Sequence, residues 1–293
     1  MIWIQALLDG LSIGASYALL GAGVAVISSV LRFVSFSFGG QVVFVALVIT
    51  ALATSLPLWL AIVAGLVAGV LLSVSTIPIA YRRAADMTPT ILVMISFALG
   101  LALQAAMVML FSDTPRPFPS PEWLSGQIEL GPFRISVASV VTIVVAILVL
   151  GALGLVLNQT RIGIAIRGAA EDPEVAQMLG VRPRAITIAA FALSGLISGV
   201  VAYLWYSKAG SVQPRDGLEL SLNAFIAVVL GGLTSLKGSV AGGLVLGVAT
   251  ALLTTLLPDA ASGFARVFLF AFVIVLLLVR PEGLMGKAWE ESR

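Results

Sequence analysis

Nothing constrains the fold of this chain more than its apolar stretches of about 20 residues, which recur with short connections between them. A hydrocarbon core of about 30 Å takes about that many helical residues to cross. Suitable runs cover 3–30, 39–55, 57–80, 91–112, 136–157, 185–205, 239–257 and 264–280. A shorter apolar piece, 221–233, predicts a segment that only half-crosses. Lipid offers no hydrogen bonds, so backbone groups must pair within each span, and helices do this. The composition agrees: 60% of residues are hydrophobic and 10% charged, where a soluble domain carries roughly a quarter charged. The expected fold is all-α, a polytopic transmembrane bundle of about eight spanning helices plus a half-spanning segment. No segment is long enough for a separate soluble domain, so 1–293 reads as one transmembrane domain. Its two longer connections are 113–135 and 158–184.

The chain has no cysteine and no histidine. Thiol chemistry, histidine metal sites and Ser-His machinery are thereby excluded. The basic residues set an orientation. If the connections holding Arg32, Arg82, Arg83, Arg161 to Arg184, Lys237 and the C-terminal tail share one side, that side carries eleven of the sixteen Lys/Arg. The positive-inside rule makes it cytoplasmic, with the N-terminus outside and the C-terminus inside. This placement also accounts for the net charge of +2 without a nucleic-acid partner. The opening "MIWIQALLDGLSIG" has no basic leader and no small-residue cleavage site, and so predicts a retained helix. Four prolines in "SDTPRPFPSPEWLSGQ" predict an ordered, extended cap outside the membrane, either a connector or a docking surface.

Several motifs fail as catalytic signatures. "GLSIG", Gly10 to Gly14, has nucleophile-elbow spacing but lies in a helix with no base, so Ser12 reads as a packing or path-lining hydroxyl. The same glycines form a G-x-x-x-G pair, as do Gly65/Gly69, Gly195/Gly199, Gly238/Gly242 and Gly243/Gly247, which favours close helix approach. "GGLTSLKGS" departs from phosphate-loop spacing, because Lys237 precedes Gly238. Any ATP must therefore be bound by another subunit. No carboxylate falls near the middle of a span, which argues against a self-powered, ion-coupled carrier.

What intramembrane polarity remains is mild: Ser35, Ser37, Gln41, Gln104 and Asn223. Such groups can hydrogen-bond a small solute or tie helices together. "RFVSFSFGGQ" and "LSLNAFIAVVLGGLTSLKG" each interrupt a helical pattern with glycines. Broken helices are tolerated at membrane depth where they are buried or line a cavity, so the pair predicts a transport path between them. Ser35, Ser37, Gln41 and Asn223 are its candidate lining.

The most polar long stretch, "RGAAEDPEVAQMLGV", looks like a soluble helix. Asp172 suits an N-cap and Pro173 the first helical position. Glu171 precedes the cap, and Glu174 puts a carboxylate in the first turn, where the helix dipole favours it. Val175, Met178 and Leu179 supply an apolar face, and Gly180 a stop. So short a helix is marginal alone in water. It must lie on its own bilayer or dock into a cytosolic partner.

"RGAAEDPEVAQMLGVRPRAITIAAFALSGLISGVVAYLW" resembles the coupling loop and following helix of the branched-chain amino acid ABC importer permeases. "DGLSIGASYALLGAGVAVI", "NAFIAVVLGGLTSLKGSVAGGLVLGV" and "VLLLVRPEGLMG" are similar to that family's first helix, late glycine-rich segment and ending, in register along nearly the whole chain. The length suits the shorter of the two permeases in such importers. The resemblance implies a fold of the ABC importer permease type, non-enzymatic in itself, in a bacterial inner membrane. The implied partners are a second homologous permease, two cytosolic ABC ATPases that bind the ATP, and an external solute-binding protein. Glu171 to Gly180 would be the coupling helix seated in an ATPase groove. One departure bears on the solute: where such permeases commonly read "NFAHGE", this chain has "SFSFGG" at Ser35 to Gly40. That leaves open a branched-chain amino acid or a related small solute such as urea, an amide or an organic acid. Two rivals stand beside this reading: a stand-alone channel or facilitator, and an intramembrane enzyme, which lacks residues for its chemistry.

Overall fold

A computed structural model describes residues 2–81, 87–130, 133–171, 173–178, 180–232, 235–256, 265–280 and 283–285. The helices are α1 (Ile2–Leu31), α2 (Phe38–Leu52), α3 (Leu58–Ala80), α4 (Pro89–Phe111), α5 (Val137–Gln159), α6 (Arg161–Glu171), α7 (Pro173–Met178), α8 (Pro183–Ala209), α9 (Gly217–Gly231), α10 (Leu236–Leu256) and α11 (Ala265–Val279). Short strands β1 (Arg116–Pro117), β2 (Gln127–Leu130), β3 (Phe133–Ser136) and β4 (Ser211–Val212) lie in the connections. Among the described residues six helices, α1, α3, α4, α5, α8 and α10, are long and apolar enough to cross a membrane. Of the other expected crossings, α2 has 15 residues, about 22 Å of helix, short of a full core, and α11 has 15 among the described residues. The half-crossing expected at 221–233 is also a 15-residue helix, α9.

α1 runs through the bundle interior, packed against α5, α8, α9 and α10. Lipid is as apolar as leucine, so helix association here depends on fit. Glycine supplies it. A Cβ on Gly247 would strike the Gly14 backbone, and one on Gly243 would strike Ala18. Along this α1–α10 seam the two backbones come nearly into contact. A second seam joins α3 to α8, where a Cβ on Gly195 would meet the Gly69 carbonyl at 2.6 Å. There Ser73 Oγ also donates to the Phe191 carbonyl at 2.7 Å.

Connections segregate to two ends. At one end β1 pairs antiparallel with β4, and Phe118 N–H donates to the Gly210 carbonyl at 2.9 Å. The Arg116 guanidinium covers the end of α4, donating twice to the Phe111 carbonyl at 2.8 and 3.2 Å. β2 and β3 form a hairpin in the same connection. The proline-rich loop thus takes the extended form its prolines favour. At the opposite end, Arg32 after α1 reaches Ala170 in α6. Also at that end, Leu284 N–H donates to Leu230 and Met285 N–H to Gly231, fastening the C-terminal stretch to the end of α9.

Candidate functional site

α2 is a half-helix, and its start lies deep in the bundle. The Phe36 carbonyl and Ser37 Cα pack on Gly100, so closely that a Cβ there would approach to 3.2 and 3.5 Å. Gly100 is the central residue of the 23-residue α4. After α1 ends, the chain therefore climbs back to mid-depth through residues 32–37 before α2 begins. α9 starts at the same depth from the other end. A Cβ on Gly217 would lie 3.1 Å from Gly40 Cα, and one on Gly39 would strike the Gly217 carbonyl. The first turns of two broken helices thus meet backbone to backbone halfway across the bundle.

Backbone groups freed by the breaks are paired at this junction. Gly39 N–H donates to Ser221 Oγ at 3.0 Å, and Ser221 Oγ donates to the Phe36 carbonyl at 2.6 Å. Phe36 N–H donates to Ser96 Oγ at 3.1 Å. Ser221 links α9 to both sides of the α2 break. Below it, Phe33 and Phe191 pack on Tyr81, each at 5.4 Å between centroids. Burial pushes the Tyr81 phenol pKa up, and the nearby Ser35, Ser37 and Ser96 hydroxyls offset this only in part. That phenol stays neutral at any physiological pH.

The first turn of α9 separates two cavities. On one side lies a narrow cleft of about 10 Å³, room for one water, lined by Phe36, Gly40, Phe97, Gln104, Leu218 and Ser221, with Gly100, Leu101 and Gly217. On the other, toward the β1–β4 end, lies a recess of about 230 Å³ with Trp205, Tyr206, Gln213, Asp216, Glu219 and Leu220 in its wall. Asp216 there accepts from Tyr206 Oη at 3.1 Å and from Gln213 N–H at 3.0 Å, which braces the turn entering α9. The cleft wall carries no charge, and its polar side chains are Gln104 and Ser221. Such a surface offers a few hydrogen bonds and exposed glycine backbone, in a cleft that must widen to take a solute larger than water.

The candidate lining residues fall in different places. Ser35 and Ser37 are buried behind the cleft, hydrogen-bonded to each other at 3.0 Å. Gln41 is fully buried, and neither amide atom has a partner among the described residues. Asn223 is half-buried one turn along α9 and is not in the cleft wall. The wall is made by residues one or two positions away, Phe36, Gly40 and Ser221, with Gln104 from α4. Ser221 gave no signal in the sequence beyond its place before the break. Its role follows from tertiary register, which periodicity does not carry.

The polar stretch also differs in detail. Residues 161–171 form an amphipathic helix, α6, with Ile166 buried against the bundle and Ile162 and Ile164 exposed. α7 follows and ends in a Schellman pair: Val181 N–H to the Ala176 carbonyl at 3.1 Å, and Gly180 N–H to Gln177 at 2.9 Å. Gly180 has φ +83°, the left-handed geometry of a glycine stop. Ala176 faces inward, while Met178 is 84% exposed at the tip. Asp172 and Leu179 lie outside the described residues.

The sequence profile of the family described as "Branched-chain amino acid transport system / permease component" matches residues 6–279. The chain belongs to this family. It is a membrane permease, not an enzyme. The high-affinity branched-chain amino acid permease BraD of Pseudomonas aeruginosa is 29% identical over 97% of this chain and 96% of its own length. LivH of Escherichia coli K12, of the same description, is 27% identical over 98% and 96%. A fructose import permease of Rhizobium meliloti, FrcC, is 33% identical over 36% of this permease and 31% of its own chain. Among solved structures, PsaBC from Streptococcus pneumoniae in complex with Fab has a TM-score of 0.47 at 16% identity, over 95% of the permease and 92% of that chain.

Proposed function

We propose that this permease subunit forms half of the solute path in an ATP-driven importer, and that the first turn of α9 is its gate. The observation that carries the reading is the meeting of α2 and α9 at the depth of Gly100, with a recess on one side and a cleft on the other. Broken helices of this kind are where membrane transporters hold their cargo. The recess opens toward the end that the basic residues assign to the outside, where a solute-binding protein would deliver its load. Phe97, Leu101 and Leu218 at the cleft are each more than 40% exposed or at that value, which suits closure by a second homologous permease. The bared Met178 tip on α7 suits a groove in one of two cytosolic ATPases.

The solute of this reading is a small polar molecule with an aliphatic part, a branched-chain amino acid first. Ser37, Gln41 and Asn223 sit close enough in sequence to the cleft wall to join it when the gate moves. Gln41 has most to gain, since leaving a buried amide unpaired costs roughly 1–3 kcal/mol. Proteoliposomes holding the full complex should accumulate L-leucine when ATP is supplied. Leu218→Trp, which fills the cleft, should cut uptake about tenfold or more with the complex still assembled. Uptake of urea or a short amide in place of leucine would reassign the solute. Uptake without any ATPase would make the permease a channel.

A further inference from the structure

We propose that Arg32 is a positioning residue, the strut through which movement of the cytoplasmic arm reaches the gate. The inference rests on the reading of α7 as the joint to an ATPase. Arg32 follows α1 and closes it, its N–H donating to the Ser28 carbonyl at 2.9 Å. Its backbone sits at φ +55°, a left-handed geometry that a residue with a side chain adopts at a cost. This bend turns the chain back into the bundle. The Arg32 guanidinium donates to the Ala170 carbonyl at 3.2 Å. Ala170 lies in the last turn of α6, where carbonyls lack helical partners and the helix dipole favours a cation. Three residues later α7 begins.

From Arg32 toward the gate almost every residue is fastened. Phe33 packs on Tyr81, Ser35 bonds to Ser37, and Phe36 bonds through its N–H to Ser96 and through its carbonyl to Ser221. Ser221 is in the gate itself and holds Gly39 as well. Arm, strut, climbing segment and gate thus form one continuous physical path. The strut bond is exposed at the surface, so its loss should leave the fold intact.

The test uses the full importer in nanodiscs, with an environment-sensitive fluorophore on a single introduced cysteine. The chain has none of its own. One sample carries the probe at Gln177 in the arm, another at Leu218 in the gate, and each is challenged with magnesium-ATP and vanadate. Without further change both probes respond. Arg32→Asn keeps a residue that tolerates the left-handed bend but removes the guanidinium. It should leave the Gln177 response and the thermal midpoint unchanged while shrinking the Leu218 response about tenfold. Arg32→Lys, which can still donate to Ala170, should restore part of it. A full Leu218 response in Arg32→Asn overturns the strut. Silence of the Gln177 probe in the unmutated complex overturns the α7 reading, and the strut with it.

Discussion

Glycine does opposite work in two regions of this permease. In the α1–α10 seam it lies inside unbroken helices, and its missing side chain lets two backbones touch over several turns. At the α2–α9 junction it lies at helix starts, where Gly39, Gly40 and Gly217 bring broken ends together. The seam needs no polar partner, because every backbone group there is already paired within its helix. The junction exposes backbone groups at mid-depth and depends on Ser221 and Ser96 to pair them. Fit alone makes a rigid contact. A contact held by a few hydrogen bonds beside a cavity can open, and that difference marks which part of the bundle is scaffold and which is gate.

The largest effect expected is at the seam. Gly247→Leu forces a side chain into the Gly14 backbone on a neighbouring helix that has no room to yield. Overpacking of this kind should cost about 3 kcal/mol or more. Detergent-solubilised protein should show a collapsed thermal midpoint and poor yield. Ser221→Ala at the junction comes next. It leaves the Gly39 N–H and the Phe36 carbonyl without their partner, a loss of roughly 1–3 kcal/mol. Here the midpoint should fall by a few degrees and uptake should fall much further, since the defect sits in the gate.

Gly180→Val acts on neither region. The left-handed stop after α7 would then cost about 1–2 kcal/mol, paid locally in the arm. Co-purification of ATPase subunits should weaken, with the thermal midpoint of the membrane part unmoved. The smallest effect belongs to Gly151→Ala in α5, where a Cβ would meet nothing within 4 Å. Removing a glycine from a helix interior without a clash should be neutral or stabilising by up to about 1 kcal/mol. A large loss there would mean that glycines in this chain cannot be ranked by what surrounds them.

Much of the helical skeleton was legible, because crossing lengths depend on apolar run length alone. The expected start of the third span at 57 and end of the fourth at 112 fall within a residue of α3 and α4. The glycine stop at Gly180 was also readable, since a local cap depends on its own residues. Depth is legible only in part. The glycines of "RFVSFSFGGQ" mark a break, yet the run at 39–55 has the length of a crossing, and only its contact with Gly100 places the α2 start at mid-depth. α6 is not legible because its apolar residues, Ile162, Ile164 and Ile166, are too few to stand out beside the spans. The cleft wall was missed for the same reason as depth: Ser221 and Gln104 converge through helix register, which the sequence holds only as the sum of many packings.

Accessibility of Leu218 tests the central claim most directly. In proteoliposomes of the full importer, single cysteines at Ser120 and Gln177, both exposed, fix the outer and inner faces for an impermeant thiol reagent. They should label from opposite sides. Leu218→Cys, on the first turn of α9, should then label from one side without nucleotide and change its accessibility when magnesium-ATP and vanadate close the ATPases. Ala18→Cys in the seam, fully buried here, should stay unlabelled in both states. Leu218→Cys labelling that ignores nucleotide, or that never occurs while Ser120 and Gln177 react, would contradict a gate at the α2–α9 junction.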